Sequence, residues 1–291
     1  MKRLFLVALA TLNIALTGCG HVAGSTQAPV QLRQAAAPTV MAAGHQRKLG
    51  FDLDRYTRQQ APAAQLHSLP PTQGIAPAKV DLRADASPVY DQDDLGSCTA
   101  FAVGKGMREF LQVSKKEAHK PLSALFLYYE TRKLRHATET DSGATITDAI
   151  KAISTAGIST DATWSYDFNK FAIQPPAAAY AEAKANKLTT GVQLAGLEDV
   201  KKALLRHQPV VMGMRIYNTF RDVAADGKLP MPQAGDILVG GHAVTVLGFD
   251  NKAKVLIVKN SFGTEWGDKG YFYMPYAYFT PENVMDIWTA N

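Results

Sequence analysis

Four side chains in this 291-residue sequence are of the types that acyl-transfer chemistry needs. Cys98 follows a Gly-Ser turn in "DQDDLGSCTAFA" and opens an apolar run with helical spacing. At a helix start, unpaired backbone N–H groups and the helix dipole favour thiolate over thiol. A thiolate still requires a proton-transfer partner, and donors for the oxygen that becomes negative when a carbonyl is attacked. Gln92, upstream of the cysteine, can turn its amide N–H to the same place as the Cys98 backbone N–H. His242 follows Gly240-Gly241, where the backbone permits close approach, and opens the apolar strand "AVTVLGFD". Asn260 ends the run "VLIVKN", where its amide can accept a hydrogen bond from the His242 ring and fix its orientation. Each has an ordinary reading when taken alone: a loop glutamine, a core or strand-edge histidine, a turn asparagine, a small buried thiol. The other histidines are poorer partners. His21, His45 and His67 lie in the N-terminal segments, His119 and His136 in charged surroundings, and His207 closes a helix.

The second cysteine, Cys19, has a separate explanation. "MKRLFLVALATLNIALTGCG" has a basic start, an apolar stretch of signal-peptide length and small residues before the cysteine. Its "LTGC" ending resembles the lipobox of bacterial lipoproteins, in which the cysteine is acylated and becomes the mature N-terminus. Residues 1–18 are therefore expected as a lipoprotein signal peptide, and the mature chain as an exported protein held to the cell envelope by a lipid on Cys19. Gly20 after that cysteine points to the outer membrane where the cell has one. With Cys19 lipidated, Cys98 has no partner for an intramolecular disulfide, so the protein must hold together without staples.

Composition narrows the remaining possibilities. Apolar residues make up 46% and charged residues 20%, ordinary for a globular chain with a sizeable core. The formal charge of +5 is a mild bias, and the basic runs are short and mixed with acids, so no nucleic-acid partner is expected. One cysteine in the folded part and scattered histidines lack metal-ligand spacing, so neither a metal nor another cofactor is expected.

These side chains must be positioned by the elements around them. Residues 19–47 are rich in Ala, Gln, Pro and Thr without periodicity and read as a flexible tether. Residues 48–78 form an N-terminal strap or short propeptide-like segment, and 79–291 the main domain. Helices are predicted from Cys98 onward, in "PLSALFLYYETRKLRH" with Ser123 as cap, in "TITDAIKAISTAG" with Gly157 as stop, and in "LEDVKKALLRHQ" before Pro209. The back half changes character. "PVVMGMRIY", "GGHAVTVLGFD", "AKVLIVKNS" and "KGYFYMPYAYF" are β-branched or aromatic runs separated by turn signals. Segregated helices and strands predict an α+β fold of two lobes with a cleft between them.

The blocks "DQDDLGSCTAFA", "GGHAVTVLGFD" and "VKNSFGTEWGDKGYFYMP" resemble the three active-site blocks of papain-family cysteine peptidases, in the same order. The likeness extends over about residues 79–291. It includes "KVDLR" before the first block and "DSGATITDAIKAISTAGI", similar to the glycine-containing wall beside the bound peptide. The resemblance implies a helical N-terminal lobe and an antiparallel, β-barrel-like C-terminal lobe. It implies Cys98 as nucleophile, His242 as ion-pair partner and general acid/base, Asn260 as orienting residue and Gln92 as oxyanion donor. Ser142, Gly143, Ala144, Gly241 and Trp266 would bind substrate, with Trp266 also shielding the network at its edge. Three departures stand out: Leu95 replaces a disulfide cysteine, Thr99 the tryptophan after the nucleophile, and Phe262 the tryptophan after the asparagine. The strap also lacks the long helical pro-region of the animal and plant enzymes.

The expected activity is hydrolysis of peptide bonds in peptide or protein substrates through an acyl-enzyme, by a monomer tethered to the membrane. Two alternatives stay open: a cell-envelope amidase or transpeptidase using the same triad, and a non-catalytic papain-like binding lipoprotein. Whether the strap inhibits, is cut, or only packs on the surface is not legible in these residues.

Overall fold

A computed structural model describes residues 38–42, 44–59, 68–71 and 76–291. The signal-peptide and lipidation expectations, with Cys19, lie outside the described residues. The helical half is built around one long, nearly fully buried helix in three consecutive segments: Cys98–Ala100, a π-helical Phe101–Arg108, and Glu109–Ser114. Wider π turns occur mostly as local insertions near functional sites. Here that stretch exposes the Ala102 carbonyl, which accepts a hydrogen bond from Thr245 Oγ1 at 3.2 Å. Gly106 makes this approach possible, because a Cβ there would overlap Thr245 Oγ1. The helix that begins at the candidate nucleophile thus lies directly against the strand that carries His242.

The shorter helices end where side chains satisfy their free backbone groups. Ser123 Oγ accepts from Phe126 N at 3.1 Å and caps Ala124–Lys133. Thr145 Oγ1 accepts from Asp148 N at 3.1 Å and caps Ile146–Thr155, which stops before Gly157 at φ +83°. A short helix, Ala177–Ala183, follows Pro175-Pro176 and has no periodic signal in the sequence. Leu95 is buried where the resemblance implied a disulfide. In place of a staple, the buried Arg132 guanidinium donates to the carbonyls of Thr138 (2.6 Å), Thr140 (2.9 Å) and Phe171.

The C-terminal half is an antiparallel sheet. Its strands are β3 (Lys79–Asp81), β4 (Val192–Gln193), β5 (Val210–Tyr217), β6 (Leu238–Asp250), β7 (Val255–Lys259), β8 (Tyr271–Pro275) and β9 (Val284–Thr289). The order is β4-β9-β5-β6-β7-β8, with β3 paired to one end of β6. The fold is α+β as expected, but the sheet is an open path rather than a closed barrel. Strand β6 is its spine: His242 faces Met214 on β5, and Thr245 faces Lys259, the residue before Asn260.

Order also begins earlier than the tether reading predicted. Residues Thr39–Ala42 and His45–Lys48 form a hairpin, β1 and β2. The chain then runs through Leu49, Gly50 and Phe51 into the helix Leu53–Gln59. Lone hairpins are marginal in water, so this one depends on the surface beneath it.

Candidate active site

Cys98 is completely buried at the first position of its helix, with Ser97 in the capping place. The backbone amides of Ala243, Gly50 and Thr99 lie near its sulfur and favour the thiolate. Burial nevertheless dominates and pushes the thiol up to about 11, despite these amides. His242, also fully buried, shares a hydrogen bond of 2.7 Å between its Nε2 and Asn260 Oδ1. Because Oδ1 also accepts from Ser261 N at 2.8 Å, the amide is oriented oxygen-first and Nε2 carries the ring proton. Nδ1 is left with no partner, next to the Ala243 peptide that addresses the sulfur. Burial depresses the imidazole to about 4, opposed by the Asn260 bond. Burial thus disfavours the charged form of both groups.

Gln92 is fully buried and held from three sides. Its Oε1 accepts from Ser261 Oγ at 2.6 Å, its backbone N–H donates to Ser261 O at 2.9 Å, and its Nε2 donates to Leu95 O at 2.9 Å. The second Nε2 hydrogen points to the Lys48 carbonyl at 3.0 Å. The candidate oxyanion donor and Asn260 are thus tied through one serine, and the donor is aimed at a carbonyl oxygen. Thr99, by contrast, is buried with an unpartnered hydroxyl, and nothing in its surroundings gives it a role.

An aromatic cluster covers the His242–Asn260 pair. Phe262 lies over the imidazole with ring centroids 4.8 Å apart, so phenylalanine covers the bond at the place where tryptophan was expected. Trp266 is one layer out, packed on Phe220, Phe262 and Phe272, and only 2% exposed. It belongs to the shield and not to a surface that a peptide could touch. Phe220, on the turn Asn218–Asp222, bridges the two layers. Nothing in "NTFRD" marked it, because its role depends on packing partners distant in sequence.

The strap occupies the cleft. Gly50 carbonyl accepts from Ala144 N at 2.8 Å, Asp52 N donates to Ala144 O at 3.0 Å, and Phe51 N donates to Gly241 O at 3.1 Å. Ala144 and Gly241 therefore hold the strap backbone from both sides. Gly143, at φ +67°, makes room for it, because a Cβ there would overlap the Gly50 carbonyl. Ser142 Oγ is buried without a partner and touches no strap atom through a hydrogen bond. Gly50 is needed for its own reason: a Cβ on it would overlap the Gly96 carbonyl. Four ion pairs surround this passage. They are Arg47–Asp91 (2.5 Å), Lys48–Asp141 (3.2 Å), Arg135–Asp52 (2.9 Å) and Arg55–Asp148 (2.6 Å). Two other histidines of the domain do other work: His119 meets Glu109 and His207 meets Asp85.

Comparison with known proteins places this geometry in context. A family profile described as papain family cysteine protease matches residues 76–283. An uncharacterized peptidase C1-like protein of Acanthamoeba polyphaga mimivirus is 38% identical over 211 residues, 68% of each chain. A senescence-specific cysteine protease of Arabidopsis thaliana is 27% identical over 217 residues, 68% of this chain and 56% of that one. Among solved structures, xylellain, a cysteine protease from Xylella fastidiosa, superposes with a TM-score of 0.76 at 28% identity. That match covers 87% of this chain and 97% of xylellain.

Proposed function

The chain belongs to the papain family of cysteine proteases, and from that premise we propose that Cys98, His242 and Asn260 form its catalytic triad, with Gln92 as oxyanion donor. The observation that carries this reading is the 2.7 Å Nε2–Oδ1 bond. It fixes the ring with Nδ1 unpartnered, and Nδ1 is the nitrogen proposed to take the Cys98 thiol proton.

The chemistry follows from these positions. Cys98 gives its proton to His242 Nδ1, and the thiolate attacks the carbonyl carbon of a peptide bond. The carbonyl electrons move to oxygen, where the Gln92 Nε2–H donates. As the tetrahedral intermediate collapses, the C–N bond breaks and the Nδ1 proton passes to the leaving amine. The thioester is then attacked by water, which gives one proton to Nδ1. Collapse releases the acid, and that proton returns to sulfur. Asn260 and the Phe262 cover keep the ring in one orientation through both half-reactions.

With the strap seated, the same site is latent. The Gly50 amide lies near the sulfur, and the Gln92 donor is engaged by Lys48 O. The strap therefore acts as an inhibitor and must be displaced before substrate enters. The protein is further proposed to be a monomeric, exported lipoprotein, anchored to the membrane through Cys19. Labelled fatty acid should enter the native chain in its host and not the Cys19→Ser variant.

The catalytic reading is tested with strap-opened protein and its Cys98→Ala counterpart. Peptide hydrolysis is expected in the first and absent in the second. Undiminished hydrolysis by the alanine variant would overturn the assignment.

A further inference from the structure

The segment from Gln92 to Cys98 carries both the proposed oxyanion donor and the nucleophile, so whatever holds it sets where they stand against a bound peptide. Two phenols of the helical half reach it. Tyr166 Oη donates to Gln92 O at 2.6 Å and lies 2.8 Å from Ser97 Oγ, which fixes the two ends of the segment. Between them, the Gly96 N–H donates to both oxygens of the Asp141 carboxylate, at 3.0 and 3.2 Å. A Cβ on Gly96 would stand 2.9 Å from Asp141 Oδ1, so the glycine leaves the carboxylate room beside the backbone.

Asp141 ties this turn to the opposite wall of the cleft. Tyr128, fully buried on the helix Ala124–Lys133, donates its Oη–H to Asp141 Oδ1 at 2.5 Å. The same phenol oxygen accepts from the Gly143 N–H at 3.1 Å. The Arg132 guanidinium lies 4.1 Å from the Tyr128 ring centre and braces it. One carboxylate thus links Gly96, next to the residue before the nucleophile, through one phenol to Gly143, the residue before Ala144. Cys98 is the one cysteine among the described residues, so the link is polar rather than covalent. Hydrogen bonds to an ionised acceptor are the strong kind for such a link. A third partner, Lys48 Nζ at 3.2 Å, belongs to the strap. Burial is the main cause of the raised Cys98 thiol, and the Asp141 charge adds to it. The carboxylate therefore works against ionisation of the nucleophile, and what it contributes to the chemistry is geometric.

We propose that Asp141 is a positioning residue for peptide hydrolysis: its carboxylate clasps the turn before Cys98 to the Tyr128–Gly143 side of the cleft and keeps the sulfur in register with a bound peptide carbonyl. The proposal rests on the peptidase reading above. It assigns different consequences to the two halves of the clasp. Loss of the Gly96 half displaces the nucleophile and lowers kcat. Loss of the Gly143 half loosens the wall and raises KM.

The test uses the full chain opened by Phe51→Ala, which removes a strap ring only 3% exposed, so that loss of the Lys48 pair does not enter the comparison. In that background kcat and KM are measured on a fluorogenic peptide. Asp141→Ala is expected to lower kcat by about 10²-fold, the scale of a reacting group misplaced by about an ångström. Asp141→Asn keeps an oxygen that accepts from Gly96 and Tyr128, and should bring kcat back to within about threefold of the parent. Tyr128→Phe keeps the Gly96–Asp141 bonds and cuts the connection to Gly143. Its KM should rise about three- to tenfold, the scale of one hydrogen bond, while kcat holds. Lys48→Ala should change neither constant. The proposal is overturned if Asp141→Ala keeps the parent kcat, if Asp141→Asn is as slow as Asp141→Ala, or if Tyr128→Phe leaves KM unchanged. Should the alanine chain not fold, the KM and kcat of Tyr128→Phe decide alone. Cleavage that survives in a Cys98→Ala, Phe51→Ala chain contradicts the triad, whereas the outcomes above contradict the clasp alone.

Discussion

At the scale of single residues, the site combines two opposed requirements, burial and ionisation. Burial raises the Cys98 thiol to about 11 and lowers His242 to about 4, so the charged form of each is disfavoured in the closed chain. Alkylation of Cys98 in the intact chain is expected to stay slow until the pH approaches 11. In Phe51→Ala, where water and a less hindered imidazole reach the sulfur, it should reach its plateau several pH units lower. A pH series of iodoacetamide labelling rates, read by mass spectrometry, checks both. Gln92 makes a different prediction. Its Nε2 is held by Leu95 O and its Oε1 by Ser261, so it is set in place for a developing negative oxygen. Gln92→Ala in strap-opened protein should lower kcat by about 10²–10³-fold with little change in KM, measured on a fluorogenic peptide.

At the scale of elements, the strap and the long helix carry the account. The Arg55 guanidinium makes two hydrogen bonds, 2.6 and 3.2 Å, to an Asp148 carboxylate only 5% exposed. Arg55→Ala should weaken strap closure by about 1.5–3 kcal/mol, the range for hydrogen bonds to charged groups. Cys98 labelling would speed up accordingly, with the melting temperature of the domain nearly unchanged. Gly106→Ala should do the reverse. Its new methyl would strike Thr245 where helix meets sheet, costing about 1–3 kcal/mol of global stability, seen as a lower denaturant midpoint. Much of this frame was legible beforehand. Ser123 and the stop at Gly157 marked helix ends through local hydrogen-bonding chemistry, and β5 to β8 announced themselves by composition. Cys98 and Asn260 stood out because each sits at an element boundary, and His242 through the Gly-Gly pair before it, although it lies inside β6 and does not open the strand. The strap was expected from residue 48, but the hairpin before it was not, since "HQRKLGF" has neither period nor turn signal. Phe220 was equally silent, because its meaning lies in rings brought from elsewhere in the chain.

At the scale of the whole molecule, the papain-like architecture is presented with its cleft closed by its own N-terminal segment. The closed form disfavours protonated His242, whose value near 4 lies below the ordinary 6.5. An open form with a normally titrating imidazole binds more protons between those limits. Acidification through that window therefore favours opening, and the gain saturates below about 4. Raising the salt concentration acts in the same direction on the more exposed of the four ion pairs, including Lys48–Asp141. The central claim is that one buried thiol, once uncovered, performs the hydrolysis. Its most direct measurement is reaction of the Phe51→Ala chain with a peptidyl epoxide, followed by mass mapping and residual peptide cleavage. One adduct on Cys98, with hydrolysis lost in proportion to labelling, is the predicted result. Hydrolysis that persists when Cys98 is fully modified would contradict it.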